Sequence, residues 1–216
     1  MHFHLITLFP KSFDSYLGES ILKRAIEDKK IKVSFYNPRD FVENKWKRVD
    51  RPPYGGGPGL VIEALPVVRA IEAAISKAKK LKAKSWKLIF LSPRGKQFTN
   101  DYASKTAKRF KHVIIVCGRY EGIDARIRKI FKMDEVSVGP FVLTGRELPA
   151  MLIMDVMSRQ VPGVLGNIDS IEERRVSTGE VYTRPEVFKY KGKVYKVPKI
   201  LLSGHRARIE EWKRKK

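Results

Sequence analysis

Two glycine-bearing segments hold the residues best placed to do chemistry in this 216-residue chain: Cys117-Gly118-Arg119-Tyr120-Glu121-Gly122 and Gly139-Pro140-Phe141-Val142-Leu143-Thr144-Gly145. Each ends a short apolar run, at 113–116 and 135–138, of the length expected for a buried parallel strand. Glycine at a strand tip lets backbone N–H and C=O groups approach a ligand with no Cβ in the way. Open α/β sheets bind ligands at such tips. Neither segment is GxGxxG or a Walker P-loop, so a nucleotide-phosphate site has no motif support. On spacing alone, a ligand cradle and two ordinary strand-to-helix turns stand about equal.

The elements that would position these loops follow from periodicity. Apolar runs at 4–8, 33–36 and 88–91 read as further strands, the last ending in Ser92-Pro93-Arg94-Gly95. Helices are expected at 20–28 (Ile21, Leu22, Ala25 and Ile26 inward), 66–78 with proline near its start, 99–110, and 148–160. The last has Leu148, Met151, Ile153, Met154, Val156 and Met157 on its apolar side and Arg159 near its end. Alternating strands and helices predict an α/β fold, a mostly parallel sheet with helices on both faces. Pro53-Tyr54-Gly55-Gly56-Gly57-Pro58-Gly59 can be neither helix nor central strand, so it is a loop, reached through the basic run KWKRVDR. The lysine-rich stretch 77–87 reads as a solvated linker. Residues 164–181 lack apolar periodicity and read as a second linker. His2 and His4 read as strand side chains, and no residue is assigned to a metal.

Composition narrows the class. Lys and Arg number 45 against 23 Asp and Glu, a formal net charge of +22, which points to a polyanionic partner such as nucleic acid. One cysteine excludes a disulfide framework and suits a reducing compartment. No segment reads as a signal peptide or a membrane span, so a cytoplasmic protein with no membrane partner is expected.

The residue strings say more than their spacing. CGRYEGID at 117–124, VGPFVLTGRELPAM at 138–151 and IMDVMSRQVPGVLG at 153–166 closely resemble the bacterial tRNA (guanine-37-N1)-methyltransferases of the SPOUT group. The resemblance extends in the family's order to the glycine loop at 53–59, Leu91-Ser92-Pro93-Arg94-Gly95, Tyr182-Thr183-Arg184-Pro185-Glu186 and Leu202-Ser203-Gly204-His205. It implies a deep trefoil knot that grips S-adenosylmethionine, built by the loops after Leu91, Val116 and Val138. It also implies a knotted domain at 1–163, a linker at 164–181, a small mainly helical tRNA-binding domain at 182–216, and a symmetric homodimer with the site between subunits. The family's C-terminal domain runs some tens of residues further, so a reduced or reshaped grip on RNA is expected.

The implied reaction fixes what the residues must do. Methylating N1 of guanine needs a general base for a weakly acidic ring N–H and a cation for the charge developing toward O6. Arg159 stands at the family's catalytic arginine and is assigned the O6 side. The base is a linker acid, ranked Glu173, then Glu172, then Asp169; ungapped counting from Gly166 puts Arg174 at the family's aspartate. The donor is assigned to Gly118 and to Val138, Gly139, Pro140, Phe141, Val142 and Leu143, with Leu91, Pro93, Tyr120, Glu121 and Gly145 as weaker candidates. Arg146 replaces a glycine usual in the family. Methyl transfer demands no metal; magnesium is admitted as an accompanying ion with no residues assigned to it. Two other readings are carried: a SPOUT methyltransferase for another RNA position, and a non-catalytic RNA-binding protein that keeps the fold.

Overall fold

The computed structural model of the chain describes residues 1–83, 85–166 and 180–215, which fall into two compact units divided at Gly166. In the first unit, β1 (His2–Ile6) leads through the short helix α1 (Asp14–Leu17) and α2 (Ser20–Glu27) to β2 (Lys32–Tyr36). Two short strands, β3 (Asp50–Arg51) and β4 (Val61–Ile62), then flank the glycine loop. There follow α3 (Ala64–Lys80), β5 (Lys87–Gln97), α4 (Asn100–Arg109), β6 (His112–Val116), α5 (Ile127–Ile130), β7 (Asp134–Ser137) and α6 (Glu147–Arg159). The five-stranded sheet has the order β2-β1-β6-β5-β7, and every pairing in it is parallel.

Alternation along the strands sorts two cores. Phe3, Leu5, Val113, Ile115, Ile89 and Leu91 point to the face covered by α2, α4 and α6. Ile6, Ile114, Val116, Leu88 and Phe90 point to the face covered by α3 and α5. The doubly covered parallel sheet is therefore as the periodicity indicates.

Three expectations change. The lysine-rich stretch is a linker only in part, since residues 77–80 close α3 and Lys87 opens β5. β5 outlasts the apolar run because residues 92–95 loop out and the chain rejoins β7: Leu91 and Lys96 both pair with Val136. Leu148 on α6 (59% exposed) and Ile21 on α2 (39% exposed) lie outward rather than inward, because a broad apolar stripe does not reveal which flank meets the core.

The second unit holds the hairpin β8 (Val187–Tyr190) and β9 (Lys193–Lys196), then α7 (Lys199–Leu202) and α8 (Arg206–Lys215). Helix outweighs strand in this unit, and the hairpin is the added feature: Lys191 and Gly192 both take positive φ (49° and 76°), as a two-residue hairpin loop requires. No described helix is long and apolar enough to cross a membrane.

Candidate active site

A cleft lies where β5 loops out after Leu91, beside the C-terminal end of β7 and the start of α6. Of the residues assigned to a donor, Leu91, Pro93, Val138, Gly139, Phe141, Val142, Leu143 and Gly145 line it. Gly118, Tyr120, Glu121 and Pro140 are not among its lining residues. Ser92, Val136, Ser137, Arg146 and Pro149 line it without having been assigned to a donor. Ser137 could have been found from its place at a strand end. Its hydroxyl donates to the Gly139 carbonyl at 2.9 Å and accepts from the Gly139 N–H at 3.3 Å, bracing the turn.

The glycines are there for space. A Cβ on Gly139 would sit 2.2 Å from the Phe141 ring, and one on Gly145 would sit 2.3 Å from the Arg119 guanidinium carbon. Backbone can thus line the cleft closely. Its walls are mainly apolar, as a purine face would require. The residues present therefore fit a nucleoside-type donor.

Arg119 ties the first glycine loop to the second. It donates to the Thr144 carbonyl at 3.3 Å and lies 4.6 Å over the Phe9 ring. Its Nε is 2.8 Å from Glu147 Oε2, close as charges but not aligned as a hydrogen bond. The buried Glu147 also accepts from the Thr7 hydroxyl at 2.8 Å. One carboxylate at the start of α6 thus links the ends of β1 and β6 to the wall of the cleft.

The proline-flanked glycine loop docks on the same structure. Glu121 N–H donates to the Leu60 carbonyl at 3.0 Å and Ile62 N–H to the Gly122 carbonyl at 3.0 Å. Gly59, at φ +83°, passes so near Glu121 that a Cβ would meet its carboxylate at 2.6 Å. Glu121 and Gly122 hold the neighbouring loop in place, and Tyr120, at φ +56°, turns the chain just before them.

Burial pushes the Cys117 thiol far above its ordinary range, and the Glu147 carboxylate adds to the effect. The expected result is that a maleimide at neutral pH leaves the folded protein unlabelled and reacts fully once it is unfolded, as mass spectrometry would read.

Arg159 ends α6, half-buried in its last turn, where the helix dipole favours a cation. Asp169, Glu172, Glu173 and Arg174 lie outside the described residues.

The family model described as "tRNA (Guanine-1)-methyltransferase TrmD" matches residues 1–216. The chain is similar to the tRNA (guanine-N(1)-)-methyltransferase of Bacillus subtilis, 45% identical over 100% of this chain and 86% of that protein. It is also similar to that of Clostridioides difficile, 42% identical over 99% and 91%. Among solved structures, the crystal structure of tRNA (m1G37) methyltransferase from Aquifex aeolicus superposes with a TM-score of 0.78 at 35% identity, covering 99% of this chain and 87% of that one. The chain belongs to the tRNA (guanine-1)-methyltransferase family TrmD, and is an enzyme that methylates N1 of guanine in tRNA.

Proposed function

We propose that the target is guanosine 37 of tRNA, that the donor S-adenosylmethionine sits in the cleft between residues 91–93 and 136–146, and that Arg159 and a linker acid act on the guanine. The cleft carries this reading, since two of the loops that resemble the family's donor loops line it together. When bound, the donor supplies an electrophilic methyl group on a sulfonium. The chain's own residues do the rest. Leu91, Val138 and Leu143 exclude water from one face of the ligand, and backbone groups of 138–143 read its edges. Glu173, or failing it Glu172 or Asp169, takes the N1 proton, and Arg159 stabilises the charge developing at O6. Magnesium is kept as an accompanying ion, with no residue of the chain assigned to hold it.

Supporting observations extend to the assembly. The outer face of α6 exposes Leu148 (59%) and Leu152 (42%) beside Tyr16 (46%), an apolar stripe suited to a homodimer contact. The close crossing of Gly95 over Glu135 and Val136 suits a knotted path. The C-terminal unit offers RNA an exposed aromatic pair, Phe188 stacked on Tyr195 at 5.1 Å, among Lys189, Lys193 and Lys196. A tRNA substrate supports a location in the cytoplasm.

The test has two stages. Calorimetric titration should show S-adenosylmethionine and its demethylated product binding to the protein. Radiolabelled methyl should then pass to a tRNA transcript with guanosine 37 and not to one with adenosine 37. Failure of the first stage removes the cleft assignment; donor binding without transfer to the guanosine 37 transcript removes the target position.

A further inference from the structure

At the end of the sheet away from the cleft, three buried imidazoles converge. His2 opens β1 and pairs in register with His112, which opens β6, and His4 lies one alternation along β1 on the same face. His2, His4 and His112 are 6%, 0% and 8% exposed, and one ring nitrogen of each lies within 4.8 Å of the others. We propose that His2, His4 and His112 form a binding site for a divalent transition-metal ion, zinc being the best suited.

The geometry is close to what such an ion needs. His4 Nε2 and His112 Nδ1 are 3.0 Å apart. Two ligands of a tetrahedral zinc with Zn–N bonds of about 2.05 Å stand about 3.3 Å apart. For this pair a metal could replace the shared proton with a shift of a few tenths of an ångström, and the His2 ring, whose nitrogen lies within 4.8 Å of the other two, would turn in to complete the set. Two outer contacts are already in place: the Ser34 hydroxyl is 2.9 Å from His2 Nε2, and the Tyr36 hydroxyl is 3.0 Å from His4 Nδ1. Metal-bound histidines carry this outer hydrogen bond, which fixes the ring and the nitrogen it offers.

The surroundings define the ion. Imidazole donors alone suit zinc, nickel, copper or cobalt and exclude calcium and magnesium. Lys77 on α3, Lys32 on β2 and the N-terminal amine face the cluster and oppose a bare dication. They favour one whose fourth ligand is hydroxide or another anion. A groove lined by Ser34, Tyr36, Ser76 and Lys77 adjoins the site and shares its two hydroxyl residues. The ion would clamp β1 to β6 and, through the hydroxyls, to β2. Its role is to hold the sheet, apart from methyl transfer.

The chain has four histidines, and the fourth, His205, is exposed in the C-terminal unit. The full-length His205→Ala protein, stripped with a chelator, is titrated with cobalt(II). One equivalent should produce the visible absorption of a four-coordinate ion, zinc should displace it, and zinc should raise the thermal midpoint. His112→Gln and His4→Phe, each verified as folded by circular dichroism, should weaken cobalt binding at least about tenfold. Absence of a cobalt spectrum in the His205→Ala protein would overturn the proposal, leaving the trio as hydrogen-bonded neutral rings. Unchanged binding in both folded ligand variants would overturn it equally.

Discussion

Gly95→Ala is expected to destabilise the protein by about 3 kcal/mol or more, or to prevent it from folding. The new methyl carbon would lie 2.5 Å from the Val136 nitrogen, 2.6 Å from the Glu135 carbonyl carbon and 2.7 Å from its oxygen. All three are backbone atoms, so no rotamer change relieves the clash. They also cannot drift apart, because β5 pairs with β7 on both sides of the crossing, at Leu91 and again at Lys96. Gly56→Ala is the control. Gly56 has φ +80°, and a Cβ there would have nothing within 4 Å, so only its backbone conformation is penalised, by about 1 kcal/mol. Urea unfolding of the two variants should separate them clearly. A cost for Gly95→Ala no larger than for Gly56→Ala would mean that strand and loop part easily here. Donor affinity should fall along with stability, because Ser92 and Pro93 in the same loop wall the cleft.

That crossing marks the boundary of what could be read in advance. The run at 113–116 announces a buried strand because four consecutive apolar residues leave little else, and α3 and α6 announce themselves by period. The second half of β5 does not. Its Lys-Gln pairing with β7 is imposed by a distant strand after a proline-containing loop, and no local pattern encodes that return. The cleft shows the same division. Its glycines could be seen in the sequence, but which of them leave no room for a Cβ depends on Phe141, Arg119 and Glu121 arriving from other positions. Arg119 and Glu147 belong to quoted motifs, yet their pairing through Thr7 and Phe9 needs the parallel register of β1 and β6. The histidine trio is the plainest case. Two of its members alternate on β1 with no metal signature, and only strand pairing supplies the third.

Arg159→Ala and Glu173→Gln should each separate catalysis from binding. Removing the arginine is expected to lower kcat by about 10²–10³-fold, the usual cost of losing one donor to a developing oxyanion. Removing the carboxylate charge at the base should lower it by about 10²–10⁴-fold. Neither change should alter donor affinity, since neither residue is assigned to the donor. A purely structural role for Arg159, as a cation on the C-terminal dipole of α6, makes a different forecast: a lowered thermal midpoint with kcat preserved in the folded fraction. Arg159→Lys sharpens the distinction. Lysine keeps the charge and satisfies the helix end, but it lacks the planar fork that meets a guanine edge, so stability should recover while turnover recovers only in part. For the base, pH is the discriminating variable. An enzyme with its carboxylate should reach a plateau once that group ionises, whereas the Gln variant should keep gaining rate with hydroxide concentration. If Glu173→Gln retains turnover within about tenfold, the proton goes elsewhere, and the same profile measured on Glu172→Gln and Asp169→Asn identifies where.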